Sequence, residues 1–222
     1  MDAAGFAAAT NVSRETLNRL NLYESQIKLW QPRINLVASA TLADLWHRHF
    51  LDSAQLLPLV PAEARFFVDL GSGGGFPGLV LAILLEERRQ SCASGLDGEP
   101  ERRWRFVLVE SDGRKCAFLR EVARRTGVAV EILSTRIENP QTHAKLASAD
   151  VVTARALAPL DRLLDWVAPL FGERTVGLFL KGQSAEAEVE AALSRWAFDV
   201  SFVPSVTAAD ARIVVVRNLR QR

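Results

Sequence analysis

The sequence predicts an α/β fold: a doubly wound, mostly parallel sheet of about seven strands with a helical extension at its N-terminus. Three features carry that expectation. Phe66–Leu70 reads as a short, largely apolar strand that runs into a glycine turn and then into the apolar stretch Leu79–Leu85. Beyond it, short apolar runs alternate with amphipathic ones, the pattern of strands and covering helices. Residues 1–60 show helical rather than strand spacing and enter the first strand without a Gly/Ser linker. This extension is therefore expected to pack on the main domain, residues 61–222.

In chain order, the first ten residues are small and alanine-rich and are expected to fray. A helix is expected from Ser13, because Leu17, Leu20, Tyr23, Ile27 and Trp30 recur at three- and four-residue steps. Pro32 ends it. A second helix is expected from about Thr41, with Leu42, Leu45, Trp46, His49, Ser53 and Leu56 on one side and Pro58 closing it. Past the glycine turn, Pro77 suits the first turn of a helix, where its missing N–H has no intrahelical partner. Gln90–Arg103 is polar, contains Gly95, Gly98 and Pro100, and reads as a lengthened surface loop. Phe106–Glu110 is a second buried strand, followed by a helix over Arg114–Thr126 that Gly127 stops. Val128–Leu133 and Asp150–Ala154 are strands three and four, with a helix over Pro159–Phe171 and strand five over Thr175–Leu180. Ser184 is the expected N-cap of an acidic helix. Phe198–Val203 and Ala211–Arg217 read as an antiparallel pair at the sheet edge.

In such a sheet the ligand crevice lies outside the C-terminal ends of the strands, at the switch point beside strand one. That rule places Gly71–Phe76, Glu110, Ile137-Glu138, Arg155 and Lys181 along one cleft. The glycines leave bare backbone for a ligand to lie against. Gly73, Gly75 and Gly78 satisfy the dinucleotide fingerprint G-x-G-x-x-G, although a run this rich in glycine fits that frame easily. A phosphate-binding P-loop is excluded, since no Lys-Ser or Lys-Thr follows Gly78. The order Asp69-Leu70-Gly71-Ser72-Gly73-Gly74-Gly75 resembles instead motif I of S-adenosylmethionine (SAM) methyltransferases. Glu110 ends the next strand, where a carboxylate can accept hydrogen bonds from both hydroxyls of a ribose. Arg155 and Lys181 follow apolar strands directly and are expected to point into the crevice, toward a cofactor carboxylate or an RNA phosphate.

Composition narrows the partners. The net charge of +1 excludes broad phosphate neutralisation, so nucleic-acid binding has to rest on a local patch. The candidates are Arg102-Arg103-Arg105, Arg114-Lys115, Arg120-Arg124-Arg125 and Arg217-Arg220-Arg222. For any one of them an ordinary solvated face is the competing and stronger reading. Cys92 and Cys116 fit a reducing cytoplasm and neither a disulfide framework nor a zinc site. His47 and His49 are two residues apart and face different ways on a helix, so no metal centre is expected. The start Met1-Asp2-Ala3-Ala4 does not read as a signal peptide, and no apolar run reaches membrane-spanning length.

Taken together, the motifs resemble the bacterial small-subunit rRNA guanine-N7 methyltransferases, the glucose-inhibited division protein B family. The likeness includes Asn35-Leu36-Val37, Arg48-His49-Phe50-Leu51-Asp52-Ser53, Asp69 through Gly78, Glu110-Ser111-Asp112 and Arg114-Lys115. It continues through Phe118-Leu119, Arg136-Ile137-Glu138, Arg155-Ala156 and Leu180-Lys181-Gly182-Gln183. The resemblance implies a Rossmann-like class I SAM methyltransferase fold. It implies cofactor contacts from Gly71, Ser72, Gly73, Gly75, Phe76, Glu110, Ser111, Asp112, Ile137, Glu138 and Arg155. Lys181, Arg114, Lys115 and Arg136 are the candidate substrate contacts, and the resemblance implies methylation of N7 of one guanine in the decoding region of 16S rRNA. That atom has a lone pair and no proton, so in-line transfer without a general base is expected, with Arg155 and Lys181 as positioning residues. The partner is then 16S rRNA or the small subunit, the compartment the cytoplasm, and nothing demands more than a monomer. The rival readings are a SAM methyltransferase with another substrate, an NAD-dependent oxidoreductase using the same glycines, and a non-catalytic RNA-binding protein.

Overall fold

Seven strands form one sheet: β1 (Phe66–Leu70), β2 (Arg105–Glu110), β3 (Glu131–Ser134), β4 (Ala149–Arg155), β5 (Phe171–Lys181), β6 (Trp196–Pro204) and β7 (Arg212–Gln221). In the computed structural model, which describes residues 1–93 and 104–222, their order is β3-β2-β1-β4-β5-β7-β6. The first five are parallel, and β7 runs antiparallel between β5 and β6. The expected edge pair is therefore only half at the edge, with β6 outermost. β7 is interior because β6 pairs with its far side, and Ile213-Val214-Val215-Val216 is accordingly buried on both faces.

Side-chain alternation along the strands divides the core in two. Phe67, Leu108, Val151, Leu178 and Val215 face one cluster, and Val68, Val107, Val152, Phe179 and Val214 face the other. Helices α4 (Gly78–Ala93) and α5 (Gly113–Thr126) cover the first face, joined by the N-terminal helices. Helices α7 (Leu160–Val167) and α8 (Ala185–Ala192) cover the second, with Leu146 from α6 (Pro140–Leu146). Residues 90–93, read as loop, continue α4. The rest of that loop, with Arg102 and Arg103, lies outside the described residues.

The N-terminal segment is more structured than its composition suggests. Instead of fraying, Ala3–Thr10 forms helix α1, capped by the Asp2 carboxylate on Gly5 N (2.9 Å). Phe6 anchors it, fully buried against Trp46 and Phe50 at ring distances of 5.4 and 6.5 Å. Helix α2 (Arg14–Trp30) starts at its Ser13 cap, as the sequence indicates, and buries Leu20, Tyr23 and Ile27. The second expected helix is broken into a 3-10 turn (Ser39–Asp44), a π-type turn (Trp46–Leu51) and the short helix α3 (Asp52–Ala54). The π turn buries Trp46, His49 and Phe50, which a regular helix would also place on one face. At the far end, Ser184 does not cap α8 by accepting an amide. Its hydroxyl donates to Glu188 Oε1 (2.7 Å). Among the described residues no helix is long and apolar enough to cross a membrane.

Candidate cofactor and acceptor site

The turn after β1 is shaped from below by α2. The Tyr23 hydroxyl donates to Gly74 O, and its ring stacks on Phe76 at 5.3 Å and 12°. Two glycines are required for physical reasons. Gly75 has φ +91°, a backbone region that side chains avoid, and a Cβ there would collide with the Tyr23 hydroxyl. A Cβ on Gly78 would lie 2.5 Å from Asp69 Cβ and 2.7 Å from Leu108 Cδ2, so α4 could not approach the sheet. Pro77 sits one residue ahead of α4 rather than inside its first turn, and the Phe76–Pro77 peptide is cis.

Asp69 lies beneath this turn, 2% exposed. Its Oδ1 accepts from the Thr153 hydroxyl (2.6 Å), and its Oδ2 has no hydrogen-bond partner. Burial pushes its pKa up to about 6, with the Thr153 bond pulling the other way. Glu110, at the end of β2, is 8% exposed. Its Oε2 accepts from Gly73 N (2.8 Å) and its Oε1 from Asp112 N (2.8 Å). The carboxylate is thereby fixed over the glycine turn and keeps a lone pair on each oxygen for a ligand.

The remaining expected cofactor residues fall into place unequally. Gly71, Ser72, Gly73, Gly75, Phe76 and Glu110 are brought together by the β1 turn and the Gly73–Glu110 bond. Ser111 is exposed next to them. The Asp112 side chain is committed elsewhere: it caps α5 by accepting from Arg114 N (2.8 Å) and Lys115 N (3.4 Å). Ile137 and Glu138 occupy the turn after β3, with Ile137 half-buried against the core and Glu138 exposed.

Arg155 ends β4 and is not a free cation. Its Nη2 donates to His49 Nδ1 (2.8 Å), and its Nη1 donates to Asp52 Oδ2 and to Arg48 O, both at 3.2 Å. The guanidinium carbon lies 5.0 Å from the centre of the Phe76 ring. Arg155 therefore meets the glycine turn through Phe76. Burial, then the Arg155 and Arg48 charges, lower the His49 pKa to about 3, so the imidazole is neutral near pH 7. The bonding network assigns its tautomer: Nδ1 accepts from Arg155, and Nε2–H donates to Thr41 Oγ1 (2.7 Å). Lys181, at the end of β5, is likewise paired, with Glu188 Oε2 (2.8 Å) and Ala158 O (2.6 Å).

The expected strand-end residues fall into two neighbouring groups. Arg155 and Lys181 line a cavity of about 430 Å³ with Arg48, Asp52 and Thr207, whereas the glycine turn, Glu110 and Ile137-Glu138 lie outside it. The partition has a physical basis. Leu157, on the cavity wall, packs against Gly71, where a Cβ would be 2.5 Å from Leu157 Cδ1, and Phe76 screens Arg155. Arg114, Lys115 and Arg136 are on the β2–β3 side, away from Lys181, and the Arg114 side chain is 74% exposed. The expected substrate residues are consequently split across two flanks. His49, Asp52 and Tyr23 carry the connection between extension and sheet. Among sequence signals, only the clustering of Arg48-His49 with Asp52 pointed to this segment.

A bare glycine turn, a fixed carboxylate one strand over and an unpartnered buried carboxylate oxygen fit an adenosine with an attached amino acid. Together with the strand order, they define a Rossmann-like, SAM-dependent methyltransferase. Two solved structures show the same fold. A methyltransferase from Geobacter sulfurreducens superposes with a TM-score of 0.59 at 14% identity, covering 98% of this chain and 96% of its own. An MtNAS mutant in complex with S-adenosylmethionine gives 0.55 at 15% identity, covering 98% and 84%. The family model for GidB, rRNA small subunit methyltransferase G, matches residues 16–215. The Ribosomal RNA small subunit methyltransferase G of Parvibaculum lavamentivorans is 52% identical, over 99% of this chain and 90% of its own length. That of Paramagnetospirillum magneticum is 50% identical over 95% and 92%. The chain belongs to the GidB family of rRNA small subunit methyltransferases.

Proposed function

We propose that this SAM-dependent rRNA methyltransferase modifies N7 of one guanine in the decoding region of 16S rRNA, acting as a monomer in the cytoplasm. One observation favours that atom: the histidine beside Arg155 is not free to remove a proton. Both nitrogens of the neutral His49 ring are occupied, Nδ1 by Arg155 and Nε2 by Thr41. An acceptor with a lone pair and no proton, such as guanine N7, needs no base. When bound, SAM supplies a sulfonium methyl that such a lone pair takes directly.

The residues of the chain then align and exclude. Glu110 accepts from the ribose hydroxyls, and Ile137 and Glu138 flank the adenine. Asp69 Oδ2 accepts from the methionine ammonium or from a water beneath it. Phe76 and Leu157 lie at the border of the glycine turn and the Arg155 cavity, where cofactor and acceptor would meet. Arg155 and Lys181 act as positioning residues, their own partners fixing where each cation points. Alignment at about 3–3.5 Å supplies most of the rate in such a reaction. The test is transfer of labelled methyl to small subunits from cells lacking the gene, followed by hydrolysis to bases. Label in 7-methylguanine supports the reading, and label in any other base contradicts it.

A further inference from the structure

The cavity between the ends of β4, β5 and the N-terminal segment is rich in donors and poor in acceptors. Arg48, Arg155, Lys181 and Arg212 line it, against the carboxylates of Asp52 and Glu188. The donors suit the phosphates that flank a nucleotide. A carboxylate is needed for a different task, since it accepts the N–H groups on the Watson–Crick edge of guanine.

Resting on the guanine-N7 reading above, we infer that Asp52 selects guanine, its Oδ2 accepting a hydrogen bond from the N2 amine of a target base seated in this cavity. Three observations converge on this residue. First, Asp52 Oδ1 already accepts from Thr207 Oγ1 (2.6 Å) and Gln55 Nε2 (2.9 Å), whereas Oδ2 takes only Arg155 Nη1 at 3.2 Å. A lone pair on Oδ2 is left for a ligand. Second, the Arg155 guanidinium spans from the Phe76 ring, on the glycine-turn side, to Asp52 on the cavity side. A purine lying along it with N7 toward the turn directs its opposite corner, which in guanine bears the N2 amine, toward Asp52. Third, the rival carboxylate is further off and more fully engaged. Glu188 Oε2 binds both Lys181 and Leu160 N, and it lies on α8 beside the end of β5, one strand further from β1 than Arg155.

Adenine has no N2 amine, so it would take a place on the cavity floor and leave the Asp52 lone pair without a donor. Unpaired polar groups of this kind discriminate more strongly than added contacts do. The N-terminal segment thus supplies base selection, while the sheet supplies cofactor binding. Asp52 is held in place for this by Thr207, which its 2.6 Å bond reaches from the loop between β6 and β7.

The experiment uses small subunits reconstituted with 16S rRNA that carries guanosine or inosine at the target position. Inosine keeps N7, O6 and N1–H and lacks only the N2 amine. Wild-type enzyme should transfer methyl to inosine subunits about 10- to 100-fold less efficiently in kcat/KM, the loss of one hydrogen bond to a charged group. Asp52→Asn and Asp52→Ala should bring the two substrates within about threefold of each other in kcat/KM, whatever rate the two then share, with SAM still bound. Equal wild-type rates on both substrates would overturn the inference and leave the N7 reading standing. So would variants that keep the gap, or variants that bind SAM yet are inactive on both substrates. Absence of wild-type transfer to guanosine subunits would instead remove the N7 reading, and this inference with it.

Discussion

The Tyr23 ring lies parallel to that of Phe76, 5.3 Å away, while its hydroxyl holds the Gly74 carbonyl. A helix from the N-terminal segment is thereby part of the cofactor turn rather than an accessory to it. Tyr23→Phe should leave Gly74 O without its buried donor, at a cost of about 1–3 kcal/mol. Tyr23→Ala, which also removes the ring, should cost about 3–5 kcal/mol. Chemical denaturation checks both values, and SAM titration should show weaker binding for each variant.

The fixed carboxylate of Glu110 gives a second prediction. Glu110→Ala removes the acceptor of Gly73 N and the expected partner of the ribose, so SAM affinity should fall about 10- to 100-fold. Calorimetric titration reads it. A control with a SAM analogue lacking the ribose hydroxyls should show a much smaller difference between variant and wild type.

His49 makes the protein acid-sensitive. Its folded pKa, about 3, is below the ordinary 6.5, so the unfolded chain binds the proton more readily. The stability it contributes is complete above about pH 6.5 and is lost as pH falls toward 3, with a limiting slope of about 1.4 kcal/mol per unit. His49→Gln, which cannot take up the proton, should flatten this acid limb. Urea midpoints between pH 7 and pH 4 measure it.

Asp69 behaves in the opposite sense. Its folded pKa, about 6, is raised above 3.8 by burial, so the folded protein holds the proton more tightly. The stability of this origin is present below about pH 4 and lost as pH rises through 6. Asp69→Asn keeps an acceptor for Thr153 and removes the buried charge. It should be more stable than wild type at pH 8, by up to about 3 kcal/mol, and the gap should close toward pH 4.

Much of this was legible in the sequence because it rests on local pattern. The β1–glycine–α4 unit, the two-faced apolar strands and the Ser13-capped helix each announce themselves within a few residues. The unread parts depend on distant partners. Helix α1 exists because Phe6 finds Trp46 and Phe50, and β7 is interior because β6 covers its far side. Arg155 and Lys181 looked like unpaired cations at strand ends. Their partners, Asp52 and Glu188, come from the short helix after the π turn and from α8, whose spacing carries no mark of the pairing. The approach of the Arg155 cavity to the glycine turn was unreadable for a similar reason, since only the folded chain brings Leu157 onto Gly71.

Position-resolved chemical cleavage at 7-methylguanosine tests the central claim most directly. It is applied to 16S rRNA from small subunits of a strain lacking the gene, after incubation with protein and SAM. The account predicts one new cleavage, in the decoding region, that disappears when Glu110→Ala replaces the wild type at limiting SAM. Methyl incorporation without any cleavage, or cleavage scattered over many guanines, would contradict it.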